Sequence, residues 1–214
     1  LQRAEICLTD ACNYKCPFCR GVMPLARGTL GYKKASNIID LLNRERILNI
    51  RFTGGEPTLY PHSSLLDLIR QITPLIRRIA LSTNGTASEE CYRLLSAYGV
   101  NDFSISLTAS CCSLGDMMAG GNGLWQTVVD NIKSLARDNY VTVGMVFNEF
   151  NINDCLKAVR FASTLSIADI RIIPSAQYNK ALLMLVNLPT ELLAKFPILS
   201  YRIVNMRRRI PIRG

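Results

Sequence analysis

Cys12, Cys16 and Cys19, separated by three and two residues, lie in the run Thr9-Asp10-Ala11-Cys12-Asn13-Tyr14-Lys15-Cys16-Pro17-Phe18-Cys19-Arg20. Asn13, Lys15 and Pro17 make this segment a loop and not a core strand, and a loop carrying three thiolates can wrap a compact inorganic core. In a four-iron cluster, three cysteine ligands leave one iron for an exogenous ligand, whereas electron-transfer clusters usually fill every position with cysteine. A structural zinc site is the plainer alternative, but it asks for four ligands, commonly from two paired knuckles. The single histidine, His62, is distant, and Cys7, Cys91, Cys111, Cys112 and Cys155 lack knuckle spacing.

Further along, Thr53-Gly54-Gly55-Glu56-Pro57 pairs two glycines with a carboxylate. Glycines let a backbone approach a ligand closely, and a carboxylate accepts from an ammonium. The bland alternative is a turn with Pro57 starting a helix. Leu81-Ser82-Thr83-Asn84-Gly85 ends in Asn-Gly, by itself a turn signal. Ser104-Ile105-Ser106-Leu107-Thr108 alternates polar and apolar residues, and Ile170-Arg171-Ile172-Ile173-Pro174 reads as a core strand. Cys111 and Cys112 follow the fourth strand, where a redox-active thiol is conceivable. Cys7, Cys91 and Cys155 read as buried small hydrophobes, and Trp125 as the anchor of the helix it opens.

The elements that must position these residues follow from hydrophobic period. Strands are expected at Ala4 to Leu8, Asn49 to Thr53, Arg78 to Ser82, Asp102 to Leu107, Val141 to Phe147 and Asp169 to Ile173. Helices are expected at Lys34 to Asn43, Ser64 to Thr73, Ser88 to Tyr98, Leu124 to Asp138 and Asp154 to Leu165, with two more near Glu191 to Phe196 and Ser200 to Arg208, broken by Pro197. Such alternation gives an α/β fold with a mostly parallel six-stranded curved sheet and outer helices, because parallel neighbours need crossovers of one hand. Loops at the strands' C-terminal ends are then the functional edge, where the unusual residues fall.

With 214 residues, 49% of them hydrophobic, a single domain over 1–214 is expected, 1–173 forming the βα repeats and 174–214 a loop and helices that an extension could follow. The longest apolar run, Ala181 to Val186, is too short to cross a bilayer, and the first residues lack the order of a secretory leader. The expected location is therefore cytoplasmic, away from membranes, where eight cysteines stay reduced. The net charge of +9 favours an anionic partner. Part of it crowds into Arg207, Arg208, Arg209 and Arg213, and no recognition motif accompanies it, which disfavours nucleic acid.

The cysteine motif, with aromatic Phe18 before its third thiol, resembles that of the radical S-adenosylmethionine (SAM) superfamily, in the branch of the molybdenum-cofactor GTP cyclase and the peptide maturases. The resemblance implies a partial (β/α)6 barrel with one 4Fe-4S cluster on Cys12, Cys16 and Cys19. It also implies SAM chelating the open iron through its amino and carboxylate groups, and an external reductant such as flavodoxin or ferredoxin. One electron would then cleave SAM to methionine and a 5'-deoxyadenosyl radical, which takes hydrogen from a nucleotide-like or peptide substrate. By the same resemblance Gly54, Gly55 and Glu56 hold the methionine amino group, and Thr83, Asn84 and Ser106 face the cleft. Phe18 would lie beside the cofactor, and Ile172 would pack on adenine. Thr108 stands where the family often has aspartate, and Gly144 where the cyclase branch has asparagine, which Asn148 or Asn151 would replace from the loop. No general acid or base is assigned. An iron-sulfur electron-transfer module without SAM cleavage is the alternative.

Overall fold

The computed structural model describes residues 2–19, 28–175 and 187–208. Arg20, the run Ala181 to Val186, Arg209 and Arg213 lie outside the described residues. Six strands, β1 (Arg3–Thr9), β2 (Asn49–Gly54), β3 (Arg78–Thr83), β4 (Asp102–Ser106), β5 (Tyr140–Phe147) and β6 (Asp169–Pro174), pair in parallel in sequence order. They form a curved, unclosed sheet with helices, as the alternating pattern requires. The helices are α1 (Tyr32–Arg44), α2 (His62–Arg70), α3 (Glu89–Ala97), α4 (Cys112–Ala119), α5 (Leu124–Leu135), α6 (Cys155–Ser163), α7 (Thr190–Lys195) and α8 (Pro197–Arg207). None of the described helices is long and apolar enough to cross a membrane.

Side chains alternate across each strand, and here the two faces differ in chemistry. Ile50, Phe52, Leu81, Phe103 and Ile105 are buried in the core that the helices cover. Their neighbours Arg51, Thr53, Ser82, Ser104 and Ser106 point the other way and line the space the sheet curves around. A parallel sheet covered on both faces usually reads as unbroken apolar runs. This one keeps a polar lumen.

Local chemistry explains the element ends. Ser88 caps α3, its side chain accepting from Cys91 N, with Glu89 and Glu90 in the first turn. Pro197 does not interrupt a helix but begins one: α8 starts at this residue, whose missing N–H would have no partner there. The next amides, Ile198 N and Leu199 N, donate to buried Asp169 at 2.9 and 3.3 Å, fixing α8 against β6.

Two expectations need correcting. Helix α4 is absent from the hydrophobic period because Gly115 and a short, weakly amphipathic run hide it; a mid-helix glycine costs about 1 kcal/mol relative to alanine. Trp125 supplies the reason for that glycine, since a Cβ at position 115 would stand 2.1 Å from its indole Cδ1. Among the cysteines, Cys155 is buried as expected, but Cys7 is exposed and Cys91 half-buried. Cys7 lies on the edge strand of an unclosed sheet, beside the irregularity between Cys7 and Thr9.

Asp169→Ala should leave the α8 amides unpaired, lowering stability to chemical denaturation by about 2 kcal/mol. Hydrogen exchange should quicken at Ile198 and Leu199 while β1 to β3 keep their protection.

Candidate functional site

The three-cysteine loop leaves β1 pressed against the turn after β2. Gly55 N donates to Thr9 O at 2.6 Å and Glu56 N to Ala11 O at 2.7 Å. A Cβ on Gly54 would lie 2.3 Å from Thr9 O, and one on Gly55 2.3 Å from Ala11 O. The glycine pair therefore admits the protein's own backbone, and in doing so sets where the cysteine loop begins. Across the loop, Lys15 N donates to Ala119 O at the end of α4.

Cys12, Cys16 and Cys19 line one cavity of about 210 Å³ together with Tyr14, Phe18, Thr53, Gly54, Gly55, Ser82, Thr83, Asn84, Ser106 and Thr108. Its far wall comes from α4 and α5 through Gly115, Met118, Ala119, Trp125 and Val128. Trp125 is held by an indole N–H bond to Ala109 O at 3.0 Å and tilts over Phe161. Of the residues expected at the site, all three cysteines, Phe18, Gly54, Gly55, Thr83, Asn84 and Ser106 meet here.

The donor chemistry suits a multi-metal core. All three thiols line the same cavity, and three sulfur donors on one short loop suit an iron-sulfur core with one position left open. Burial, then the neighbouring Cys19 and Cys12, push the Cys16 thiol up to about 12. Cys12 is raised too, chiefly by burial, while N–H donation from Tyr14 and Asn84 works the other way. Three thiolates repel one another in this loop unless a cationic core lies between them, and metal coordination supplies that charge.

Glu56 and Ile172 lie outside the lining. Fully buried, the Glu56 carboxylate accepts from Thr58 N at 3.0 Å, Thr58 Oγ1 at 2.8 Å, Thr83 Oγ1 at 2.8 Å and Asn84 N at 2.6 Å. Asn84 in turn donates to Asn13 Oδ1 at 2.6 Å, and Asn13 donates to Thr86 Oγ1. Glu56 thus positions Thr83 and Asn84 and, through Asn84 and Asn13, the cysteine loop. Ile172 joins the apolar core because strand parity turns its neighbour Arg171 into the lumen. Asn148 and Asn151 are buried in their own loop: Asn151 accepts from Asn148 N and donates to Thr108 O and Val146 O, leaving neither to face the cavity.

Below this cavity, nearer the strands' N-terminal ends, lies a second of about 200 Å³ lined by Arg3, Arg51, Arg78, Arg171, Arg202, Asn49, Ser104, Thr142 and Asp102. Arg78 Nε pairs with Asp102 at 2.7 Å, and Glu5 reaches Arg3 and, at 3.8 Å, Arg51. Among the described residues, the buried Nε atoms of Arg51 and Arg171 and Oδ1 of Asp102 have no hydrogen-bond partner. Burial, then the charges of Arg3 and Arg171, pull the Arg51 guanidinium down to about 10; burial, then Arg202 and Arg3, lower Arg171. Gly144 pairs with Arg171 in register, and a Cβ there would make only an ordinary contact with its Nη2, at 3.8 Å. These arginines were not expected. Their signal was a charge inside an otherwise apolar strand, Ile50-Arg51-Phe52 and Ile170-Arg171-Ile172.

Glu56→Gln should destabilise the metal-free chain by about 2 kcal/mol, because an amide NH₂ would confront the donors that now converge on the carboxylate. Denaturation without cluster or SAM measures this. Unchanged stability would contradict the positioning role.

A profile of the Radical SAM superfamily matches residues 6–162. The probable GTP 3',8-cyclase of Thermococcus kodakarensis is 28% identical over 135 residues, covering 62% of this chain and 43% of that protein. The GTP 3',8-cyclase of Chlorobaculum tepidum is 34% identical over 104 residues, covering 48% and 32%. The chain thus spans less than half the length of either. Among solved structures, Streptococcus suis SuiB bound to S-adenosylmethionine overlays with a TM-score of 0.71 at 16% identity, covering 100% of this chain and 50% of that one. For anSMEcpe with bound AdoMet and the Cp18Cys peptide the TM-score is 0.67 at 17% identity, covering 87% and 58%. Those likenesses agree on the fold. With its three-cysteine loop at the upper end of a partial β/α barrel and the superfamily profile covering most of its length, this chain belongs to the radical SAM superfamily, enzymes that bind a 4Fe-4S cluster and SAM.

Proposed function

We propose that this chain is the core of an enzyme that takes hydrogen from an anionic, nucleotide-like small molecule, with a 4Fe-4S cluster on Cys12, Cys16 and Cys19 and SAM in the upper cavity. When bound, cluster and SAM together supply the 5'-deoxyadenosyl radical that abstracts the hydrogen, after an electron from an external reductant such as flavodoxin or ferredoxin. The chain's own residues bind, orient and exclude water. Gly54, Gly55, Thr83, Asn84 and Ser106 offer backbone and side-chain groups to SAM, Phe18 packs beside it, and Trp125 and Met118 close the opposite side.

The observation that carries the substrate class is the arginine set beneath this site. On β2 the lumen-facing residues run Arg51 then Thr53, and on β4 Ser104 then Ser106, so each strand serves both cavities. Positions two apart on a strand are about 7 Å apart. A molecule whose anionic end engages Arg51 and Arg171 therefore places its next few atoms beside the SAM site. Phosphate or carboxylate oxygens would satisfy the two unpartnered Nε atoms and offset the mutual repulsion of the guanidinium groups. The sequence similarity to GTP 3',8-cyclases supports a nucleotide over a peptide.

The test is anaerobic reconstitution with iron and sulfide, then dithionite and SAM, measuring 5'-deoxyadenosine and methionine with and without GTP. Wild type should form both and Cys16→Ala neither. Arg51→Ala and Arg171→Ala should each weaken GTP binding at least about ten-fold, as expected when a charged hydrogen bond is lost, with SAM binding retained. A cluster that leaves SAM intact would favour an electron-transfer module. GTP binding indifferent to both arginines would overturn the substrate class.

A further inference from the structure

Helix α4 ends where the cysteine loop passes, and the two touch through backbone. Lys15, in the loop between Cys12 and Cys16 and adjacent to Cys16, donates its N–H to Ala119 O at 2.8 Å. The next residue, Gly120, turns left-handed at φ 76° and closes the helix, its N–H returning to Asp116 O at 2.9 Å. A Cβ there would lie 2.8 Å from Lys15 Cβ and 3.4 Å from both Lys15 Cα and Lys15 O. Gly120 is therefore required twice, by its own conformation and by the loop packed against it.

The turn is itself braced. Asp116 accepts from Gly123 N at 2.7 Å and Trp125 N at 2.8 Å through its carboxylate, and its backbone oxygen also takes Gly121 N. Trp125, Met118 and Ala119 of the same unit line the upper cavity. The wall opposite the cysteines and the loop carrying them are thus joined at one backbone contact.

We propose that Gly120 is a positioning residue for the cluster, its bare Cα letting the α4 terminus clamp Lys15 and so fix the relative placement of Cys12 and Cys16. This rests on the reading that those cysteines hold the cluster. Clamping limits the opening of the loop through which iron would be lost, and it holds the thiolate nearest the clamp in one orientation, which the cluster's electronic structure reports.

Gly123 provides a matched control. It is also left-handed, at φ 71°, but a Cβ there meets nothing within 4 Å. Gly120→Ala and Gly123→Ala therefore carry similar backbone strain, and only the first collides with the cysteine loop. Both variants and wild type would be reconstituted anaerobically, then followed for thermal unfolding, for loss of visible cluster absorbance to an iron chelator, and for the EPR spectrum of the reduced cluster. The expected result is a similar loss of thermal stability in both, with cluster loss about ten-fold faster and an altered EPR spectrum only in Gly120→Ala. If Gly120→Ala does not fold, the double variant decides: with the Lys15 Cβ removed by Lys15→Gly, the Gly120→Ala chain should fold and lose cluster at close to the rate of Lys15→Gly alone. A failure to rescue there, or indistinguishable cluster behaviour in the two glycine variants, would overturn the proposal. A wild-type chain that takes up no cluster would overturn the cluster reading as well.

Discussion

Glu56 carries its carboxyl group to a position with no solvent exposure, where four donors from two segments converge on it and meet the cost of burying a polar group. Thr58 belongs to the segment after β2, Thr83 is the last residue of β3, and Asn84 begins the turn that follows. Glu56 caps the short 3-10 helix Pro57–Leu59 through Thr58 N and, with the same side chain, ties that turn to the end of β3. From Asn84 the same network continues through Asn13 into the cysteine loop, and from Thr83 to the Tyr92 hydroxyl at 2.9 Å on α3. The upper cavity therefore takes its shape from one group that does not touch it.

The lumen below follows from strand parity. Because alternate residues face opposite ways, polar side chains at one parity of a strand line the barrel, as Arg51 and Thr53 do on β2, while their neighbours fill the core. Serines and threonines occupy the upper inward positions, where a neutral hydrogen-bonding surface suits a cofactor with several polar groups. Arginines occupy the lower ones. Buried guanidinium groups that repel one another are costly in an empty barrel, and such a cost is sensible where an anion offsets it. Function is thus written along the axis of the sheet, with thiols at the loop edge, hydroxyls beneath them and cations lower still.

Much of this was legible in sequence. All six strands appear where β-branched runs placed them, to within a residue or two, because strands buried on a helix-covered face need apolar residues at fixed parity. The three-cysteine loop and the glycine pair declared themselves by spacing. What spacing could not give was direction. Glu56 reads as a ligand-facing carboxylate in a glycine-rich turn, yet the turn rotates it inward onto Thr83 and Asn84. Ile172 reads as a cleft residue, yet parity assigns the cleft to Arg171. Helix α4 escaped because Gly115, needed to seat Trp125, weakens the period by which helices are found. Its hydrogen bond with Lys15 is between backbone atoms, and the one mark of the contact in residue type, Gly120, reads by itself as a turn.

A cluster held on Cys12, Cys16 and Cys19 would have one iron left open towards the upper cavity, where SAM could bind it. EPR of the anaerobically reconstituted, dithionite-reduced chain, recorded with and without SAM, tests this arrangement most directly. The account predicts one 4Fe-4S signal per chain whose g-values shift when SAM is added, because SAM takes the open iron. A cluster signal indifferent to SAM, or no cluster at all with the three cysteines intact, would contradict it.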